Sequence, residues 1–181
     1  PPASWTEIEE FAKTWNNKAE NKYAIVWGVG NAYFDYIFMG GFNAPLFGEK
    51  GDNPKQHNIN SPNAIAGLTY FQSVRGKMLD IPSGDVTDDF CNSSFVEGKA
   101  PMLITGPWKI ADFSKQNVNF GIAPIPAFPG FSNPPASFSG VRLAFVSAYS
   151  EHPEAAHDFA KFMTSKEMLS KRYEMTKQIP P

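Results

Sequence analysis

An α/β fold is the class this sequence predicts, and three observations predict it. Two short apolar runs, Tyr23–Trp27 and Met102–Thr105, have the β-branched and aromatic make-up of interior strands. Each is followed by glycine and then by a helix signal, Gly28-Val29-Gly30-Asn31 after the first run and Gly106-Pro107 after the second. Between them lie stretches whose apolar residues recur at three- and four-residue spacing, the mark of amphipathic helices. A strand that gives way to a helix is also where binding residues gather in α/β proteins, so the two turns are the places to look for a site.

At 181 residues the chain is long enough to bury a sizeable core. Its 16 basic and 18 acidic residues leave a net charge of -2, with no broad basic face, which argues against a nucleic-acid partner. Charged residues make up only 19%, whereas aromatics reach 14% with 16 Phe and 4 Trp, so flat side chains are plentiful for cores and stacking surfaces alike. The single Cys91 cannot form an internal disulfide, and no Cys-His spacing indicates a structural zinc. No apolar run approaches the length of a membrane span. The chain opens on Pro1-Pro2 without Met and closes on Ile179-Pro180-Pro181, so it reads as a piece of a longer protein that has lost any targeting segment.

Taken in order, Ser4-Trp5-Thr6-Glu7 is a capping box that starts a helix from Trp5 to about Lys18, with Trp5, Ile8, Phe11, Ala12 and Trp15 on its buried stripe. After the first strand, Asn31 is a good N-cap for a helix through Tyr33, Phe34, Ile37 and Phe38, which Gly40-Gly41 stops. The strand, the G-x-G and the helix resemble a dinucleotide fingerprint, but Tyr33 stands where the third glycine belongs. The turn therefore reads as a helix start that exposes Asn31 and Tyr33. Residues 44–60 read as an edge hairpin, with His57 solvated. Ser61-Pro62 then opens a helix with Ala64, Leu68, Phe71 and Val74 inward.

Asp85, Asp88 and Asp89 crowd the start of the next helix, where negative charge is favourable, and their spacing matches no calcium loop. Asn92-Ser93-Ser94 fits a glycosylation sequon but falls inside that helix. In the second strand and its turn, Gly106 is free to take a positive φ and Pro107 sets the first helical position, which delivers Trp108 to a surface. A helix to about Ser114, a half-buried strand over 117–123 and a proline-rich loop over 124–135 follow. Phe138 to Ser147 reads as a long strand in which Arg142 is anomalous, at an edge, ion-paired or facing a cleft. Glu151 to Met163 is a helix with Ala155, Ala156, Phe159 and Phe162 inward, and Thr164-Ser165-Lys166-Glu167 is a second capping box. His152 and His157 are five apart, on different helix faces, and are poor metal ligands.

The ordered set Ser4-Trp5-Thr6-Glu7-Ile8, Asn31-Ala32-Tyr33-Phe34, Ala64-Ile65-Ala66-Gly67-Leu68, Phe95-Val96-Glu97-Gly98-Lys99-Ala100 and Ile104-Thr105-Gly106-Pro107-Trp108 resembles the maltose/maltodextrin-binding proteins, the receptors of bacterial sugar ABC importers. Val118-Asn119-Phe120-Gly121, Pro124-Ile125-Pro126 and Glu154-Ala155-Ala156 continue the resemblance along essentially the whole chain. It implies one lobe of a two-lobed, type II periplasmic-binding-protein-like fold, with a central mixed sheet flanked by helices. Residues 1–143 would be the second lobe, and 144–181 a crossing strand end and helices of the first. It further implies an oligosaccharide ligand stacked on aromatics at Tyr33 and Trp108, a permease partner, a periplasmic or extracellular location, either free or lipid-anchored, and no cofactor.

The expected ligand-binding set is Trp108, Tyr33 and Asn31, with Phe34 beside Tyr33 and Arg142 in the long strand. Asn31 stands where the maltose receptors carry an acid, and Ala32 where they carry Pro, so the sugar is left open. A dimer of the chain is a further expected partner. A glycan hydrolase would need two carboxylates facing each other across the sugar. The acids here are scattered over helix starts, and none is adjacent to Tyr33 or Trp108 in the sequence, so no catalytic residue is assigned. A structural interaction domain is the third reading.

Overall fold

The computed structural model describes residues 1–138 and 140–176. Its α-helices there are α1 (Trp5–Trp15), α2 (Ala32–Gly41), α3 (Pro62–Met78), α4 (Asp88–Val96), α5 (Ile110–Lys115), α6 (Pro153–Met163) and α7 (Lys166–Thr176), and its strands are β1 (Ile25–Val26) and β2 (Met102–Leu103). The chain divides into two compact units. The first is Pro1–Thr105 with Gly121–Phe138, and the second is Gly106–Phe120 with the described residues after Phe138.

In the first unit the caps decide where helices begin. The Ser4 hydroxyl accepts from the Glu7 N–H at 3.3 Å, and the Glu7 carboxylate accepts in return from the Ala3 N–H at 2.9 Å, one residue ahead of the usual capping-box donor. Ser61 and Thr87 cap α3 and α4 in the same way, with Asp88 and Asp89 in the first turn of α4. Helix α1 stops at Trp15, short of the expected Lys18, because Asn16 leaves the helix. Its side chain donates to the Met78 carbonyl and accepts from the Ala24 N–H instead. Phe11 was expected inward, but it stacks on Trp15 at the surface.

The two strands pair in parallel, with Ile25 opposite Met102 and Val26 opposite Leu103, and the Ile104 N–H extends the ladder to the Val26 carbonyl. Among the described residues this two-stranded parallel pair stands in place of the expected mixed sheet. Trp5, Trp27, Phe38 and Phe128 form an aromatic core, with Phe128 stacked 5.0 Å from Trp5 and tilted against Phe38 at 5.1 Å. The proline-rich segment is irregular, as expected, yet Phe128 anchors it in the core. Helices α2 and α3 approach closely at Gly67, where a Cβ would run into the Phe38 carbonyl.

Three expected β segments are absent. Residues 44–60 form a turn-rich loop, held by bonds from the Gly48 N–H to Gln56 and from the Asn58 N–H to Leu46. Positive φ at Gly48 and Gly51, and the missing N–H of Pro54, prevent a strand there. Residues 117–123 carry no strand either, since Asn117 is left-handed (φ 56°) and only closes α5. Of the expected strand from Phe138 to Ser147, Ser139 lies outside the described residues, and 140–147 are irregular with Phe145 83% exposed. No described strand pairs with that segment, and an unpaired strand has nowhere to place its backbone bonds except water.

In the second unit α6 begins at Pro153 behind His152, later than the expected Glu151, and none of its residues is buried. Phe159, expected inward, is 63% exposed. Ala155, Ala156 and Phe162 are likewise unburied, and the irregular segment 144–150 only lines an open pocket with Ala156, Phe159, Ala160 and Met163. The second capping box is shifted by one residue. Thr164 closes α6 by donating to the Ala160 carbonyl, and Ser165 caps α7 by accepting from the Met168 N–H. The last residues of the expected 144–181 segment, from 177 on, lie outside the described residues.

Candidate functional site

The chain leaves β1 through a tight turn whose shape depends on two glycines. Gly30 has φ +87°, a left-handed conformation that L side chains rarely adopt. At Gly28 a Cβ would stand 3.0 Å from the Asp88 carboxylate and 3.1 Å from the Phe34 ring. The turn ends at Asn31, whose side-chain oxygen accepts from the Tyr33 N–H at 3.0 Å and caps α2. That cap uses the oxygen and leaves the amide N–H2 outside it.

Tyr33 is the second residue of α2 and is 42% exposed. Its ring meets Phe34 edge-on at 5.4 Å and stacks on Phe138 at 5.8 Å, and Phe138 in turn stacks on Tyr36 at 4.1 Å. Phe34 is only 9% exposed and belongs to the core. Asn31, Tyr33 and Phe34 are thus brought together on one turn, with a polar amide and a half-exposed ring outward and a buried ring behind.

Sequence reasoning missed Asp35, which accepts from the Trp27 indole N–H at 3.0 Å with one oxygen and from the Gly30 N–H at 3.0 Å with the other. Burial raises its carboxyl above the ordinary value, while these two bonds and the charge of Arg75 pull the other way. An acid inside the otherwise apolar run Tyr33–Met39 was the available signal.

Trp108 lies in the second unit, on a 3-10 turn over Pro107–Lys109 that leads into α5. It is 42% exposed. Gly106 does not take the positive φ expected of it; it is extended at φ -109°. A glycine is needed there for another reason, because the Trp108 ring folds back over it and a Cβ would overlap the ring. The anchor of this turn is Phe113 of α5, which is buried. Arg142 is exposed on the irregular segment after Ser139, also in the second unit.

The chemistry of these residues is that of binding. A half-exposed aromatic ring offers a flat apolar face, and an amide offers donors and an acceptor. Cys91 is buried, and its thiol is pushed up to about 12, first by burial and then by the charge of Asp88, so it is no nucleophile at neutral pH. Among the described residues no group of three His, Cys, Asp or Glu side chains is placed to hold a metal, and no helix is long and apolar enough to cross a membrane.

Comparison with known proteins finds sugar-binding proteins among the relatives. A galactooligosaccharide-binding protein of Bacillus subtilis (strain 168) is 34% identical over 160 residues, covering 82% of this chain and 38% of its own length. A maltotriose-binding protein of Pyrococcus abyssi is 29% identical over 168 residues, covering 91% of this chain and 35% of its own. The crystal structure of a cyclo/maltodextrin-binding protein complexed with maltotetraose superposes with TM-score 0.79 at 31% identity, over 100% of this chain and 46% of that one. MalX from Streptococcus pneumoniae in complex with maltopentaose superposes with TM-score 0.84 at 26% identity, over 99% of this chain and 49% of that one. The chain therefore spans less than half the length of these relatives, and its fold is a part of the type II periplasmic-binding fold of the maltodextrin-binding proteins it superposes on. A family model described as bacterial extracellular solute-binding protein matches residues 2–169, nearly the whole chain, and to that family the chain belongs.

Proposed function

We propose that this chain is part of the receptor of a sugar ABC importer, and that it binds a maltodextrin-like oligosaccharide by aromatic stacking and hydroxyl hydrogen bonds. The observation that carries the reading is the start of α2, where Tyr33 presents a half-exposed ring beside the Asn31 amide. A pyranose has the matching surfaces, an apolar face of C–H groups and a rim of hydroxyls. Relatives that cover almost all of this chain bind maltotetraose and maltopentaose.

In this reading Tyr33 and Trp108 each stack on a sugar ring and Asn31 bonds a hydroxyl. Phe34 backs the Tyr33 ring from the core, and Arg142 bonds a further hydroxyl. Residues 1–143 form the second lobe of the whole receptor and 144–181 return to the first. The work is capture without bond cleavage, outside the cytoplasmic membrane, either free or lipid-anchored, with a membrane permease as the partner that receives the sugar. The exposed rings of Phe145, Phe159 and Phe162 support self-association of this chain as well.

The test is titration calorimetry with maltotriose on the wild-type chain and on Trp108→Ala and Tyr33→Ala. Each substitution is expected to weaken binding by roughly 1–3 kcal/mol, the scale of losing a stacked ring, with the helical circular dichroism retained. Equal affinity in either variant removes that residue from the site, and release of glucose from a maltodextrin would replace the receptor by a hydrolase.

A further inference from the structure

The turn between β1 and α2 has one feature that its role as a helix start does not require. Helix α2 is already capped by Asn31 and already packed through Ile37 and Phe38. Asp35 nonetheless reaches back from the first turn of α2 and binds both sides of the loop that precedes it. It takes the indole N–H of Trp27, the last residue of the buried run, and the backbone N–H of Gly30, the left-handed residue just before Asn31. Two donors converging on one side chain demand two acceptor oxygens. A carboxylate has them, whereas an amide has one and would turn its own N–H2 toward the second donor. Holding a charge in a half-buried place is unfavourable, and the two charge-assisted bonds offset part of that cost.

From this geometry we infer that Asp35 is the positioning residue of the sugar-contacting turn: by tying Gly30 to Trp27 it fixes the direction in which Asn31 and Tyr33 face the ligand. The inference rests on the sugar-binding reading above. Both Asp35 oxygens are engaged inside the turn, so its part is to hold the turn and not to contact the sugar directly. Binding residues held by supporting hydrogen bonds lose affinity when the support is removed, even though their own atoms are unchanged.

The experiment is made on the whole chain with Asp35→Asn, read by nuclear magnetic resonance and by maltotriose titration. The helical signal is expected to stay. The Trp27 indole and Gly30 resonances should shift, and whichever of these two N–H groups faces the new amide N–H2 should exchange with solvent roughly tenfold faster or more. Affinity for maltotriose should fall roughly tenfold, as it does when a supporting partner is deleted. In a Tyr33→Ala background the same change should cost much less, about twofold, because the ring it positions is gone; a purely structural residue would cost the same in both backgrounds.

Unchanged exchange at both the Gly30 amide and the Trp27 indole, or an equal affinity loss with and without Tyr33, would overturn the inference. Where Asp35→Asn does not fold, the unaltered chain decides the matter. Gly30 is exposed, so an unprotected Gly30 amide refutes the clamp and a protected one supports it. Absence of maltotriose binding by the wild type would count against the sugar reading instead, and the exchange of Gly30 would still decide whether Asp35 holds the turn.

Discussion

At the scale of single residues, burial decides chemistry more than residue type does. Cys91 is the one thiol of the chain, and its place in α4 against the core disfavours the thiolate, as does the neighbouring carboxylate of Asp88. With its pKa at about 12, roughly one part in ten thousand is thiolate at pH 8, compared with a substantial fraction for an ordinary cysteine. Ellman's reagent should therefore react with the native chain far more slowly than with the chain in guanidinium, and the native rate should rise as pH rises. A native rate equal to the unfolded one would show that Cys91 is accessible. The same dependence on surroundings explains why Asp35 was invisible in the sequence and Asn31 was not. An N-cap is a local signal, read from the residues that follow it, whereas the partners of Asp35 meet it only once β1, the turn and α2 are folded together.

At the scale of elements, two glycines on α3 make opposite predictions. A mid-helix glycine is unfavourable relative to alanine by about 0.5–1 kcal/mol. At Gly76, where a Cβ would meet nothing, Gly76→Ala should raise stability by about that much. At Gly67 the added methyl would press on the backbone carbonyl of Phe38, so Gly67→Ala should lower stability by about 1–3 kcal/mol despite the better helix propensity. Urea titration of the two variants checks both signs, and a stabilised Gly67→Ala would mean that α2 and α3 are not in close contact. Helices were legible because their caps and periodicity are local. Strands were read too generously, because alternation and apolarity state only that a segment would suit a sheet. The segment 140–147 has that composition and stands unpaired, and residues 44–60 are kept from it by glycine and proline geometry.

At the scale of the molecule, the two units differ in how much they bury. The first has the aromatic core around Trp5, Trp27, Phe38 and Phe128, while α6 and α7 of the second bury no residue at all. Amide hydrogen exchange read by mass spectrometry should accordingly be slow in peptides from α1, α2 and α3 and fast in peptides from 153–176. Equal protection in both would show that α6 and α7 are covered in solution, by another copy of the chain or by each other. The amphipathic pattern of α6 predicts an inward face, yet none of its residues is buried among the described residues. Burial, however, is a property of two surfaces, and only one of them is written in the helix.

By itself the sequence determined where helices start, which runs are apolar enough for the core, and which family it resembles. It also marked Tyr33 and Trp108 as candidate platforms, since each follows a glycine turn at the end of an apolar run. The tertiary structure alone decided that Phe34 lies in the core behind Tyr33, that Phe128 pins the proline-rich segment, that Gly106 makes room for the Trp108 ring, and that Asp35 ties the turn. The division has a physical reason. Caps, turns and periodicity involve residues within about one helical turn of each other, so they can be read from a short stretch of chain alone. Close approach and hydrogen bonds between separate elements depend on which surfaces meet, and that is settled only by packing.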